Sequence, residues 1–342
     1  MSKKGRIGIG VCLMVLWGIL LTYPSNILAQ KRTLRQKIAR LDSTLSARYY
    51  KIPYDTNYVI RPVGRWTLKV RYNQTGNTFH TKGTLKGITS KSDLSTTRKN
   101  TISLGASYRG LSASFSLNPA KMKGIYKDYE LNLNYFNSRI SLDFSYQRSE
   151  SLSGDIHLAD RVQQLEQGDL AMKIVNIAGY YAFNYRKFSF PAAFNQNFIQ
   201  RRSAGSWLAG ISYQGGSINT TEDLKTRRPE AHDVSLKFGH LGLGAGYGYN
   251  LVLGKNWLLH LSALPTFVVY NRNKLMLNDE ELEAKHMRFH MIFNERVAVI
   301  YNFSKRYFAG ATLVMNNSVY DNDAGIINQN KWRARAIVGM RL

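Results

Sequence analysis

The sequence predicts an all-β fold: a single antiparallel transmembrane β-barrel of about fourteen strands, or twelve if weak strands merge, with a short helix ahead of it. Three observations predict it. Apolar and polar residues alternate with a period of two over long stretches, 101–120 being the clearest. The pattern recurs from Trp66 to the last residue. The links between the alternating stretches are by turns short and long, as in barrels with tight turns on one rim and loops on the other.

The N-terminus is built like a secretory signal over residues 1–29. Lys3, Lys4 and Arg6 form a charged region, Ile7 to Leu21 an apolar one, and Ile27-Leu28-Ala29 a cleavable end. Cys12, the one cysteine of the chain, lies inside the apolar region, so the part after cleavage holds no thiol for a disulfide, a thiolate metal site or a nucleophile. Residues 30–53 form an N-terminal periplasmic segment. Within it Leu34, Ile38, Leu41 and Leu45 fall at helical spacing and predict a short amphipathic helix over 33–49. The barrel is assigned to 54–342.

From Trp66 the period becomes two. Trp66, Leu68, Val70 and Tyr72 form one face, Gln74 to Asn77 reads as a turn around Gly76, and 79–87 as a weaker strand. Tyr58 to Arg61, before the Pro62-Val63-Gly64 bend, supplies a further strand. Ile102 to Tyr108 and Leu111 to Leu117 form a hairpin across Arg109-Gly110, and Tyr129 to Tyr146 another across Asn137-Ser138. Residues 90–99, 119–128, 150–170, 217–236, 272–286 and 321–330 are polar and read as long loops. The segment with Pro191 and Arg201-Arg202 fits neither strand nor turn. Leu241 to Leu253 sets Leu and Tyr against Gly242, Gly244, Gly246 and Gly248, a row without side chains that predicts something bulky packed on that face. Strands over 257–270, 287–303, 306–320 and 331–342 complete the set.

The apolar faces should meet lipid, with Tyr72, Tyr108, Tyr135, Tyr146, Tyr301 and Trp332 near strand ends as an aromatic belt. Glu295 falls on the apolar face, which suggests a bulge or a point outside the bilayer. The chain carries 47 Lys and Arg against 22 Asp and Glu. A charge facing lipid at mid-membrane costs about 2–4 kcal/mol, so Lys69, Arg71, Arg109, Arg288, Arg296, Arg333, Arg335 and Arg341 should point inward, opposed by few acids, Glu130 and Asp143 among them. Two arrangements fit: a cationic lumen that attracts anions or lipid phosphates, and a plugged lumen in which the cations pair with acids.

At 107–121, Ser-Tyr-Arg-Gly-Leu-Ser-Ala-Ser-Phe-Ser-Leu-Asn-Pro-Ala-Lys, the chain resembles the Bacteroidota outer-membrane family catalogued as domain of unknown function 4421. Tyr54-Asp55-Thr56-Asn57-Tyr58, Tyr108-Arg109-Gly110-Leu111, Asn118-Pro119-Ala120 and Ser203-Ala204-Gly205-Ser206 carry the resemblance, which covers about 54–342. It implies an outer-membrane β-barrel and transfers no catalytic residue.

One constellation has the spacing of chemistry. His260-Leu261-Ser262 sets a His and a Ser two apart on a strand, as in outer-membrane lipid hydrolases, where a polar third member orients the imidazole. The pair shares its face with Leu258 and Leu264, which leaves its direction open, and reads otherwise as two polar lumen residues. His286, Arg288 and His290 share a face, but histidines four apart on a strand lie about 13 Å apart, too far for one metal. Asp321 to Asp323 lacks the further ligands of a calcium loop. The expected function is therefore a non-enzymatic barrel of the bacterial outer membrane, structural, binding, or a narrow anion-biased channel; the alternative is a lipid or lipopolysaccharide hydrolase using His260 and Ser262. No cofactor or nucleic acid is expected. Expected partners are outer-membrane lipid, lipopolysaccharide and the assembly machinery for such barrels.

Overall fold

The computed structural model describes residues 36–37, 39–40, 42–44, 46–47, 54–62, 64–85, 88–108, 111–117, 128–158, 161–229, 233–278, 280–282, 287–322 and 325–342. The chain divides into two units, 1–51 and 52–342. In the first, every described residue from 36 to 47 is helical, within the span that the leucine spacing predicts. The signal segment lies outside the described residues, as do Arg109, His286 and the 118–120 motif.

The second unit is a closed antiparallel barrel. Its strands are β1 (Val59–Ile60), β2 (Trp66–Leu85), β3 (Ile88–Thr96), β4 (Lys99–Tyr108), β5 (Leu111–Leu117), β6 (Tyr129–Phe136), β7 (Ile140–Leu158), β8 (Arg161–Ala182), β9 (Ile199–Gln200), β10 (Ala204–Thr220), β11 (Val234–Leu253), β12 (Trp257–Leu277), β13 (Glu280–Leu282), β14 (Met287–Asn302), β15 (Tyr307–Asn322) and β16 (Gly325–Arg341). Ten of these close a ring, in the order β2, β3, β7, β8, β10, β11, β12, β14, β15, β16 and back to β2. Closure runs from Gly325 against Gly83 to Arg341 against Thr67. It ends with Leu342 and Trp66 exchanging backbone hydrogen bonds at 2.7 and 2.8 Å.

The expected count of fourteen is corrected to this ring, and the differences have local causes. Gln74 to Asn77 does not turn: β2 runs straight through it for 20 residues. Gly76 is there because the Trp332 indole lies across it, where a Cβ would meet Nε1 at 2.8 Å. Tyr58 to Arg61 does not join the wall; β1 pairs with β9 in a separate two-stranded sheet. The loops expected at 90–99 and 150–170 are strand, β3 and the β7–β8 hairpin that turns beyond Leu158 and Arg161. Their period is masked by register shifts between Ser149 and Gly154 and by a polar outer face. A third expected loop holds a short helix, Glu222–Arg227, capped by the Thr221 hydroxyl accepting from the Leu224 N–H.

The wall is not uniform. β3 pairs with the half of β2 far from Leu342, Thr78–Leu85, and with β7; β4 pairs with the near half, Trp66–Thr75. Below β3, two short strands fill the space between β4 and β7: β5 pairs with β4, and β6 with β7. Among the described residues no ladder joins β5 to β6, so the near half of the wall carries a seam.

The outer face is an apolar band. On β2 Trp66, Leu68, Val70 and Tyr72 are exposed; on β11 Leu243, Tyr247 and Tyr249; on β12 Trp257, Leu261 and Phe267. The strands of the ring other than β3 are 16 to 22 residues long, against the roughly 9–11 that cross a bilayer, so the wall continues past the band, where its outer face turns polar. Trp332 lies mid-strand, at the edge of the band rather than at a strand end. Glu295 stands on the outer face in an unbroken ladder, with no bulge, and its carboxylate accepts from the Asn317 amide at 3.0 Å.

Candidate functional site: a plugged cationic lumen

The segment between β8 and β10, residues 183–203, folds into the barrel at the end where Trp66 meets Leu342. Pro191 starts a single turn of π-helix, Pro191–Asn195, closed by Gln196 in the left-handed conformation at φ 53°. Phe188, Phe190, Ala192, Ala193, Asn195, Gln196 and Phe198 are buried. Phe188 and Phe190 pack with Phe136, Tyr180, Leu208 and Leu264 of the wall. Of the glycine row only Gly248 meets this plug, where a Cβ would lie 3.0 Å from the Phe188 ring; at Gly242, Gly244 and Gly246 a Cβ would meet the neighbouring strand β12 instead.

Wall side chains grip the plug backbone. The Lys69 Nζ donates to the Asn195 carbonyl and the Arg341 Nε to the Gln196 carbonyl, both at 2.5 Å. The Asn250 amide donates to the Ser189 carbonyl at 3.1 Å and to Gln200 Oε1 at 3.0 Å. From the other side the 54–60 stretch seals it: the Tyr54 and Ser189 hydroxyls lie 3.2 Å apart, the Tyr54 ring meets Phe198 edge-on, and β1 pairs with β9. The stretches that carry the family resemblance at Tyr54–Tyr58 and Ser203–Ser206 are thus part of the plug's mounting: Ser203 Oγ accepts from the Val252 N–H and Ser206 Oγ from the Asn184 N–H, each at 2.9 Å.

His260 and Ser262 face inward; Leu261, between them, is 63 % exposed on the lipid side. His260 Nε2 lies 2.9 Å from Ser262 Oγ and His260 Nδ1 lies 2.7 Å from Asn250 Oδ1. With Nδ1 donating to the amide oxygen, Nε2 accepts from the serine hydroxyl. Strand pairing supplies the third member that spacing alone does not identify, since Asn250 is the direct cross-strand partner of His260. The trio is sealed. His260 is 1 % and Ser262 4 % exposed, and the rings of Phe188, Phe190 and Phe194 surround the imidazole at 5.0–5.8 Å.

Above the plug the lumen is cationic. Lys69, Arg296 and Arg341 are buried and inward, and Arg71, Arg333 and Arg335 are half-buried on the same inner faces. The side chain of Arg288 lies outside the described residues. Two more cations, Lys99 and Lys331, are buried in the same layer. The acids that meet them come from β6, β7 and the residue before β6: Arg296 pairs with Asp143, Arg333 with Glu130 at 3.5 Å, and Lys99 with Asp128 at 3.2 Å. Lys331 donates to Ser145 at 3.3 Å. The Arg296 guanidinium also stacks on the Tyr180 ring at 4.3 Å.

Toward the far end lies a second apolar cluster, Phe79, Leu152, Leu165, Leu170, Met172 and Ile174. Beside it His290 packs against His240 and Tyr320 with ring centroids 4.2 and 3.8 Å apart. Among the described residues no group of three His, Cys, Asp or Glu is placed to hold a metal.

A closed antiparallel ring with an apolar, aromatic-edged outside and a polar inside defines an outer-membrane β-barrel. The chain belongs to the family described as Domain of unknown function (DUF4421), whose model matches residues 53–341. No curated protein matches the chain. Among solved structures it is similar to the outer membrane protease OmpT from Escherichia coli, at 9 % identity and a TM-score of 0.41, covering 82 % of this chain and 97 % of that one. It is also similar to the translocator domain of the autotransporter NalP from Neisseria meningitidis, at 11 % identity and a TM-score of 0.27, covering 91 % and 98 %.

Proposed function

We propose that the protein is a non-enzymatic outer-membrane barrel with a filled lumen, a binding or structural element of the membrane rather than an open channel. The plug carries this reading: residues 183–203 occupy the lumen and are held by Lys69, Arg341 and Asn250. The cations that would bias a pore to anions are largely engaged by the plug and by acids of the wall. The test is conductance of the refolded full-length barrel in a planar bilayer. The expected trace is silent across the voltage range; steady anion-selective conductance would overturn the reading.

A second reading, a lipid or lipopolysaccharide hydrolase, is favoured by the Asn250–His260–Ser262 trio, which has the order and the distances of an activated serine. Its burial weighs against it. The serine faces the lumen under three phenylalanines, and the same Asn250 amide anchors the plug. Hydrolysis of phospholipid or lipopolysaccharide by the wild type, lost in Ser262→Ala, would establish the hydrolase; an inert wild type would remove it.

A further inference from the structure

The lumen holds two guanidinium groups that no described residue meets with a hydrogen bond or an ion pair. Every other described arginine or lysine of the central layer has a plug carbonyl, a carboxylate or a hydroxyl. Among the described residues Arg71 and Arg335 have no hydrogen bond and no ion pair, and the Nε of each is sealed from solvent without an acceptor. Their register makes them neighbours. Arg71 pairs with Ile337, and Asn73 pairs with Arg335, so both side chains rise from one inner face on diagonal positions of adjacent strands. Cβ atoms so placed lie about 7 Å apart, within reach of a common ligand for two arginines. At this range they repel one another and Arg333, and Asp143 and Glu130 act on Arg335 only from a distance, without an ion pair.

Unpaired, half-buried charges of like sign with their Nε sealed call for a counter-ion, and a planar fork of N–H donors fits the tetrahedral oxygens of phosphate. We propose that Arg71 and Arg335 together hold an oxyanion of the phosphate class inside the barrel. This rests on the reading of the barrel as a binding element and gives that element a ligand.

The way in is lateral. The plug fills one end and the Phe79–Leu152 cluster packs the inside of the other, whereas β5 and β6 share no ladder among the described residues. The inner lip of that seam lies against the cations, because Arg333 reaches Glu130 and Asn132 of β6. A break in the ladders of the lipid-facing wall favours a phosphate carried on a lipid headgroup over free phosphate, though the two share their chemistry.

The test uses the full chain refolded in phosphate-free micelles. Inorganic phosphate, dioleoyl phosphatidic acid or the matched phosphate-free diacylglycerol is titrated in, followed by phosphorus NMR and by the thermal midpoint. A phosphate-bearing probe should bind saturably and raise the midpoint, since a ligand of the folded state stabilises it; diacylglycerol should not. The double variant Arg71→Gln/Arg335→Gln should bind at least about tenfold more weakly, and Arg306→Gln, at an exposed turn, as tightly as wild type. Binding of inorganic phosphate would assign a soluble oxyanion, and binding of the lipid alone a headgroup. Binding of neither, or equal binding by the double variant, would overturn the site. Heat-dependent gel mobility reports whether the double variant is folded; if it is not, the single variant Arg335→Lys, which keeps the charge and loses the fork, should still weaken binding. A conducting wild-type barrel would sink the plugged reading while leaving phosphate binding intact, so the two failures differ.

Discussion

Arg341, the penultimate residue, donates from Nε to the carbonyl of Gln196 at 2.5 Å and from Nη2 to Asn302 Oδ1 at 2.8 Å. The strand that closes the barrel is therefore also the strand that holds the plug. Lys69, on the strand it closes against, takes the adjacent carbonyl of Asn195. Hydrogen bonds from charged groups contribute about 1.5–3 kcal/mol each, and these two secure the same end of the π-turn. The double variant Lys69→Ala/Arg341→Ala should keep the barrel, seen as an unchanged heat-dependent gel shift. It should also convert a silent bilayer into one with intermittent conductance. If it stays silent, the phenylalanine cluster alone holds the plug.

Asn250, His260 and Ser262 are separated by stability before they are separated by catalysis. Among the described residues Asn250 serves His260, Ser189 and Gln200, whereas Ser262 serves His260. Leaving buried polar groups unsatisfied costs about 1–3 kcal/mol. Asn250→Ala should therefore lower the unfolding midpoint in detergent clearly more than Ser262→Ala does. The reverse order, with Ser262→Ala the more damaging, would contradict the anchoring role.

The wall of this barrel is legible in sequence where lipid and lumen impose opposite demands, as along Leu241–Leu253, and obscure where they do not. Past the apolar band the outer face turns polar, and the inward apolar residues Leu152, Leu165 and Leu170 are put out of step by the register shifts between Ser149 and Gly154, so β3 and the β7–β8 hairpin carry no steady period to read. Gly76 misleads for a different reason: an aromatic cross-strand neighbour and a turn ask for the same residue. The plug left two traces, Gly248 at the end of a glycine row and a proline segment that fitted no strand, but joining them needs the third dimension. Inward direction for Lys69, Arg71, Arg296, Arg333 and Arg335 follows from the cost of charge in lipid. Which of them are paired does not, because Asp128, Glu130 and Asp143 reach them from across the lumen. Asn250 was invisible as a partner of His260 because ten residues and a strand pairing separate them.

Asp143 and Arg296 should be non-additive. Arg296 is sealed in the lumen with its guanidinium on Asp143 and over the Tyr180 ring. Breaking one side of such a pair costs about 3–5 kcal/mol because a buried charge is left alone, whereas replacing both with apolar groups of similar volume is often neutral. Asp143→Leu should thus destabilise strongly, and Arg296→Met in the same chain should restore most of the loss. Midpoints of urea unfolding in lipid vesicles measure the cycle; additive effects would mean that water already reaches the pair.

Gly76 and Trp332 form a cross-strand pair in the seam that closes the ring. A Cβ at residue 76 would sit 2.8–2.9 Å from three atoms of the indole, closer than carbon atoms in contact approach, which is about 3.5–4.0 Å. The indole covers the glycine and shields the ladder beneath it, the arrangement by which an aromatic compensates a glycine in a strand. Gly76→Val should therefore push Trp332 off the wall and loosen the β2–β16 ladder, although valine is the better strand former. The expected loss is about 1–3 kcal/mol, the usual range for overpacking, read as a lower temperature for the heat-dependent gel shift. Trp332→Ala alone should also destabilise, by uncovering Gly76. The double variant Gly76→Val/Trp332→Ala should recover part of both losses, because the clash is gone and a β-branched residue now fills the strand. A double variant worse than either single would place the role of Trp332 in the membrane belt instead of on the glycine.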